Sequence, residues 1–581
     1  MYKKLLLLVA MVFSLVIFMP ASAQVQPEKF STLVDAARFF PSSTPFYFSI
    51  RTDVGYIDTL NEVFVAVQER TIETALTLPD GLDMLFQELG AEDFQNSVAP
   101  WLGDYAAFGV FPLDLLTDYS YSNDTVEYGL LIKVTNRESA TEFMRTLLMT
   151  DANMFTWREE STEAYTRFEA EEDYYHDMVI ITDNHLIVTN TTKLIPPTPV
   201  NGSLLDTYAF EDALNAMPAD AYNFVMYVDI PTLQSYMMAS NDYVRFHSRL
   251  QSLLFTQMMG PIAMAGKIEN GNVLILDTVV SSGNMVGMER LGMNMPPNIV
   301  VNPEFATTIP ADSIFALHGT SPLQYGDYFR DNLLAMWRYL SASEFNPEYD
   351  AKIQEMVAQG YVAFGRVADA IFANLTGMSL ENDFANWMSR DYVWFMRSNP
   401  EIDNPNFPID TAFVFQVTDG AQSVESMRNL VRSLPITLRT LGVRGVSFRE
   451  TTIEGADALL INIHGYSMED KPVLELAISA NETIFAIGTV RAVTDSIRGG
   501  STGGFALAQA YILPNANAVL YDSSINALPL ARWGLAQDRN NANRQLVEAI
   551  VNLLGEGVIS SATLEDGTKI VRTVQILNLG Q

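Results

Sequence analysis

Short apolar stretches rich in Val, Ile, Thr and Phe recur along the chain, punctuated by prolines and by Asn-Gly or Asp-Gly pairs. Such stretches are predicted to be β-strands, because branched and aromatic side chains suit a pleated surface. In the first half they run over Pro41–Ile50, Tyr105–Phe111, Tyr128–Val134, Met178–Thr182 and His185–Thr189, with Asp183-Asn184 turning the last two into a hairpin. Pro261–Ile268 and Val273–Val280 form another hairpin around Asn270-Gly271, a strong turn signal. Between strands the period changes. Tyr56–Leu78 carries Ile57, Leu60, Phe64 and Val67 at helical spacing, and helices are also expected over Arg137–Met149, Ile230–Met258 and Gln422–Leu434. The fold class is therefore α+β, with mainly antiparallel sheet and helices packed against one face.

The pattern occurs twice in the same order. Trp101 answers to Trp387 and Tyr105 to Tyr392, Val134-Thr135 to Val417-Thr418, and Met144-Arg145 to Met427-Arg428. Farther on, Pro218 answers to Pro514 and Gly271 to Gly567. Collinear matches of this kind indicate an internal duplication. A Gly-, Met- and Pro-rich stretch over 281–303 then separates a first repeat, 24–280, from a second, 304–581. Within each repeat a proline-led strand, a helix and a hairpin occur twice, which suggests paired β-α-β-β units.

Lys3-Lys4, the apolar run Leu5–Met19, Pro20 and Ala21-Ser22-Ala23 have the layout of a secretory signal peptide, with cleavage expected after Ala23. Retention of residues 1–23 as an anchor is the alternative. After cleavage no membrane span is expected. The chain has no cysteine, so disulfides, thiol catalysis and cysteine-based metal sites are excluded. Its 35 basic residues face 69 acidic ones, a formal charge of −34. That surplus excludes nucleic acid as a partner, since such binding neutralises phosphates with Lys and Arg. It also favours a soluble monomer.

The Pro-Ala-Asp openings, Pro218-Ala219-Asp220 and Pro310-Ala311-Asp312, are joined by a following amphipathic helix and by a Trp before an apolar strand (Trp101, Trp387). In these features the chain resembles the exported bacterial family termed domain of unknown function 3352, over most of its mature length. The resemblance implies an extracytoplasmic setting and transfers no catalytic residue.

Candidate chemistry is sparse. The five histidines, His176, His185, His247, His318 and His464, form no zinc-binding spacing. Glu171, Asp173 and His176 lie in an acidic cluster that could hold a divalent cation through oxygen ligands, or be a solvated loop. The methionines read as core filler, with Cu(I) binding by thioethers as the alternative. Gly499–Gly504 lacks the lysine of a phosphate loop and reads as a hinge. Trp101, Tyr105, Trp387 and Tyr392 could line equivalent ligand pockets, or hold duplicated core positions. No cofactor is expected. The function expected is non-catalytic binding of an unknown ligand or envelope partner, with an extracytoplasmic enzyme using carboxylate acid–base or metal chemistry as the alternative.

Overall fold

The computed structural model describes residues 30–71, 93–110, 127–149, 156–171, 177–191, 202–233, 260–281, 298–320, 366–399, 408–464, 474–499, 505–537 and 544–579, less a few positions inside these spans, with isolated positions elsewhere. Residues 1–285 and 568–581 make one compact unit, and residues 286–567 another. The expected signal peptide, with Ala23, lies outside the described residues.

The first unit contains β1 (Phe46–Arg51), β2 (Leu102–Val110), β3 (Tyr128–Val134), β4 (Trp157–Ser161), β5 (Thr166–Ala170), β6 (Met178–Ile181), β7 (His185–Thr189), β8 (Phe224–Val228), β9 (Ile262–Glu269) and β10 (Val273–Val280). All pairings are antiparallel, in the order β4-β5-β6-β7-β3-β2-β1-β8-β9-β10. Side chains alternate across the sheet, so each strand feeds two cores. Phe48, Ile50, Leu130 and Ile132 pack with Tyr56, Ile57 and Leu60 of the helix Val54–Thr71 and with Phe143 and Met144 of the helix Arg137–Leu148. On the other face Tyr47 donates to the Leu33 carbonyl at 2.6 Å and meets Phe40 and Phe210 edge to face. Helical segments thus cover both faces, where the sequence suggested one. The segments around Phe40 and Phe210 are too short to announce themselves by periodicity.

The second unit contains β11 (Ser313–Thr320), β12 (Asp391–Ser398), β13 (Ile409–Gln416), β14 (Val446–Ile453), β15 (Ala456–Ile463), β16 (Leu474–Ala480), β17 (Ile484–Thr489), β18 (Ala518–Ser523) and β19 (Leu554–Thr563). Their antiparallel order is β14-β15-β16-β17-β13-β12-β11-β18-β19. Met427, Leu430 and Val431 of the helix Gly420–Thr440 share a core with Trp387, Leu459, Ile478 and Phe485. The shorter helix Val490–Arg498 turns back over β13, β16 and β17 and buries Ala492, Val493 and Ile497.

The chain's last strand, β20 (Lys569–Leu577), belongs to the first unit. It pairs with β10 over eight residues, from Val273 opposite Ile576 to Val280 opposite Lys569. The repeat expected over 304–581 therefore yields its final strand to the first unit. Asp277 anchors it: fully buried on β10, it takes two hydrogen bonds from its register partner Arg572, at 2.7 and 2.9 Å, and one from Tyr222 at 2.6 Å.

Candidate functional site

Strand β12 alternates buried and half-buried positions, and the alternation carries a charged side chain to the buried face. Val393 and Phe395 are fully buried there, and Arg397 follows at 2% exposure. A guanidinium keeps its charge, so its burial requires counter-ions. Three separate elements supply them. Asp410 is the register partner on β13 and lies 4.0 Å from Nε of Arg397. Asp495, on the helix Val490–Arg498, accepts from Nη2 at 2.6 Å. Asp312, in the turn before β11, accepts from Nη1 at 3.2 Å.

The same helix places Arg491, Asp495 and Arg498 on one side, at spacings of four and three residues. Arg491 donates to Asp312 at 3.1 Å and to Asp410 at 3.2 Å. Arg498 bonds Asp495 at 3.3 Å and reaches Glu454 at 2.8 Å. Gly499 ends the helix at φ +75, its N–H bonded to the carbonyls of Asp495 and Ser496. An added Cβ there would meet nothing within 4 Å, so backbone conformation rather than space selects glycine.

The three arginines, Asp312, Asp495 and Gly499 line a pocket of about 330 Å³, with Thr308, Pro310 and Ala311 as its uncharged wall. Nε of Arg397 is buried and makes no hydrogen bond. Guanidinium groups are donors only and do not exchange protons near neutral pH, whereas their planar forks match carboxylate and phosphate oxygens. The arrangement is suited to holding an anionic group rather than to moving a proton.

The residues singled out from sequence have other placements. Trp101 and Trp387 are core residues, 3% and 0% exposed. Each indole donates to the carbonyl four residues earlier, that of Ser97 or of Asp383. Tyr105 is buried and its hydroxyl meets Nε2 of His185 at 2.9 Å, while Tyr392 is half-buried opposite Phe415. The two tyrosines are not equivalent. Tyr105 precedes Ala106, the partner of Ile132, whereas Tyr392 itself pairs with Phe415, so a one-residue offset turns them to opposite sheet faces. Glu171 is exposed just beyond β5, while Asp173 and His176 lie outside the described residues. Their neighbours Glu169 and Asp177 are engaged with Arg167 and Tyr128. Among the described residues no group of three or more His, Asp or Glu is placed to hold a metal ion. Nor is any helix among them long and apolar enough to cross a membrane.

His318 and Asp391 form a buried pair, Nε2 to Oδ2 at 3.0 Å, and the backbone N–H of Asn302 donates to the same oxygen. His464 is half-buried beside the exposed Ser447, whose hydroxyl lies 3.0 Å from its Nε2. Reading the sequence missed Arg397, Asp410, Arg491 and Asp495, and treated Asp312 only as part of a motif. The available signal was an arginine closing an otherwise apolar alternating strand.

A family model described as Protein of unknown function (DUF3352) matches residues 4–435. Neither a curated protein nor a solved structure matches the chain.

Proposed function

The chain belongs to the DUF3352 family of proteins of unknown function, and on that premise we propose that it is an exported, non-catalytic binding protein built from two tandem copies of one α+β unit. Support for duplication lies in the strand orders and in matching local bonds. The carbonyls of Trp101 and Trp387 accept from the N–H of Thr135 and Thr418, and Asn136 and Asp419 cap the helices that follow by accepting from Ser139 and Gln422. Support for export is the leader, Lys3-Lys4 through Ala23.

The observation that carries the binding reading is the charge type in the pocket. Its cations are Arg397, Arg491 and Arg498, each held by carboxylates. Fixed charges recognise, whereas acid–base catalysis needs a group that titrates near the working pH. The test has two readouts on the protein recovered from outside the cytoplasm. Its intact mass is expected to begin at Gln24. A screen of small organic acids is expected to find compounds that raise its melting temperature and are recovered unaltered. Full-length mass would replace the cleaved leader with a retained anchor, confinement of the protein to the cytoplasm would remove the export reading, and turnover of a bound compound would replace the binder with an enzyme.

A further inference from the structure

We propose that Asp312 is a resident plug in an arginine socket, and that the socket's ligand is a small carboxylate-bearing molecule that enters by displacing it; the proposal rests on the binding reading above. The carboxylate of Asp312 bridges two guanidinium groups, one oxygen on Arg397 at 3.2 Å and the other on Arg491 at 3.1 Å. The structure thus already holds a carboxylate in the site, supplied by the chain itself.

The three counter-ions differ in depth. The side chain of Asp410 is 6% exposed and that of Asp495 30%, whereas that of Asp312 is 51% exposed and stands in the turn after Pro310. Asp410 is held on its strand and Asp495 on its helix, whereas Asp312 faces solvent. The Asp312–Arg491 pair is exposed on both sides, and such a pair holds its partners weakly; with Asp410 and Asp495 still on the buried Arg397, Asp312 is the member that can leave. The two guanidinium groups would then face two carboxylates, and an incoming carboxylate restores the count of three that the resting site has. The long-range acidic field therefore opposes approach, but the site itself gains no charge relative to its resting state. At physiological salt that field is screened over roughly 8 Å.

Two further features fit a ligand larger than the plug. The pocket, at about 330 Å³, is at the small-molecule end of the usual range. Pro310 and Ala311 offer a short apolar wall beside it.

The experiment uses the full mature chain, with ¹³C-labelled acetate as probe and chloride at equal ionic strength as control. Acetate binding is read by NMR line broadening for the wild type, Asp312→Ala, Asp312→Asn and Asp312→Ala/Arg491→Gln. Removing the plug is expected to tighten acetate binding at least about fivefold, equivalent to roughly 1 kcal/mol at 1.4 kcal/mol per tenfold. Asp312→Asn, which keeps the shape and loses the charge, is expected to show the same direction. Adding Arg491→Gln is expected to abolish the gain. Acetate binding that is unchanged by both plug variants overturns the socket, as does a gain that survives Arg491→Gln. If organic acids still bind the wild type in the screen above, only the socket falls and the binding reading stands.

Discussion

His185 lies at 8% exposure on β7, its ring against Phe39 and its Nε2 at 2.9 Å from the Tyr105 hydroxyl. Burial, assisted by the charge of Lys133, pushes its pKa down to about 4. The fold therefore holds the neutral imidazole, whereas the unfolded chain takes up a proton near pH 6.5. Its contribution is complete above about pH 6.5 and is lost as the pH falls towards about 4, by roughly 3 kcal/mol. Urea midpoints measured from pH 7 to pH 4 are expected to fall more steeply for the wild type than for His185→Gln, and parallel curves would refute the assignment. A lone histidine at a strand start was visible in the sequence, but not that Tyr105, eighty residues earlier, would be its partner. Arg397 was invisible for the same reason. Its counter-ions come from positions 312, 410 and 495, brought together by the β12–β13 register, by a helix packed over the sheet and by the turn before β11.

At the scale of elements, β20 depends on one desolvated contact as well as on its ladder. Burial, then the nearby Asp277 carboxylate, holds the Tyr222 phenol well above its usual range, so it remains a donor to that carboxylate. Removing one member of such a pair leaves a buried charge uncompensated, at a cost of about 3–5 kcal/mol, while replacing both with apolar groups costs far less. Arg572→Met alone is expected to lower the denaturant midpoint sharply, and Asp277→Leu/Arg572→Met to recover most of the loss. Additive losses would show that the pair is not coupled. Hairpin turns such as Asn270-Gly271 were legible because residue type dictates their backbone: Asn270 and Gly271 both adopt positive φ. Helix ends were less so. The helix expected over Gln422–Leu434 runs from Gly420 to Thr440, carrying Pro435 within it, because packing of the whole helix outweighs the local breaker.

For the whole molecule, the order of elements along the chain differs from the order of closure. Residues 286–567 lie between β10 and the strand that completes the first unit, so that unit is discontinuous while the second is continuous. The repeat pattern could not reveal this, since it records which segments are alike and not which edge each one joins. In the full chain β10 has β9 on one side and β20 on the other. Without residues 568–581, β10 would lose the second ladder, and the buried Asp277 would lose Arg572, its cation, keeping the bond from Tyr222. An exposed edge strand with an uncompensated carboxylate is both unstable and prone to pairing with other chains. A fragment of residues 286–567 is accordingly expected to unfold cooperatively by circular dichroism, with dispersed amide resonances. A fragment of residues 24–285 is expected to lack that cooperativity, and to gain it when a peptide of residues 568–581 is added, with Arg572→Met in the peptide abolishing the rescue. Full cooperativity of 24–285 alone would mean that the last strand decorates the first unit rather than completing it.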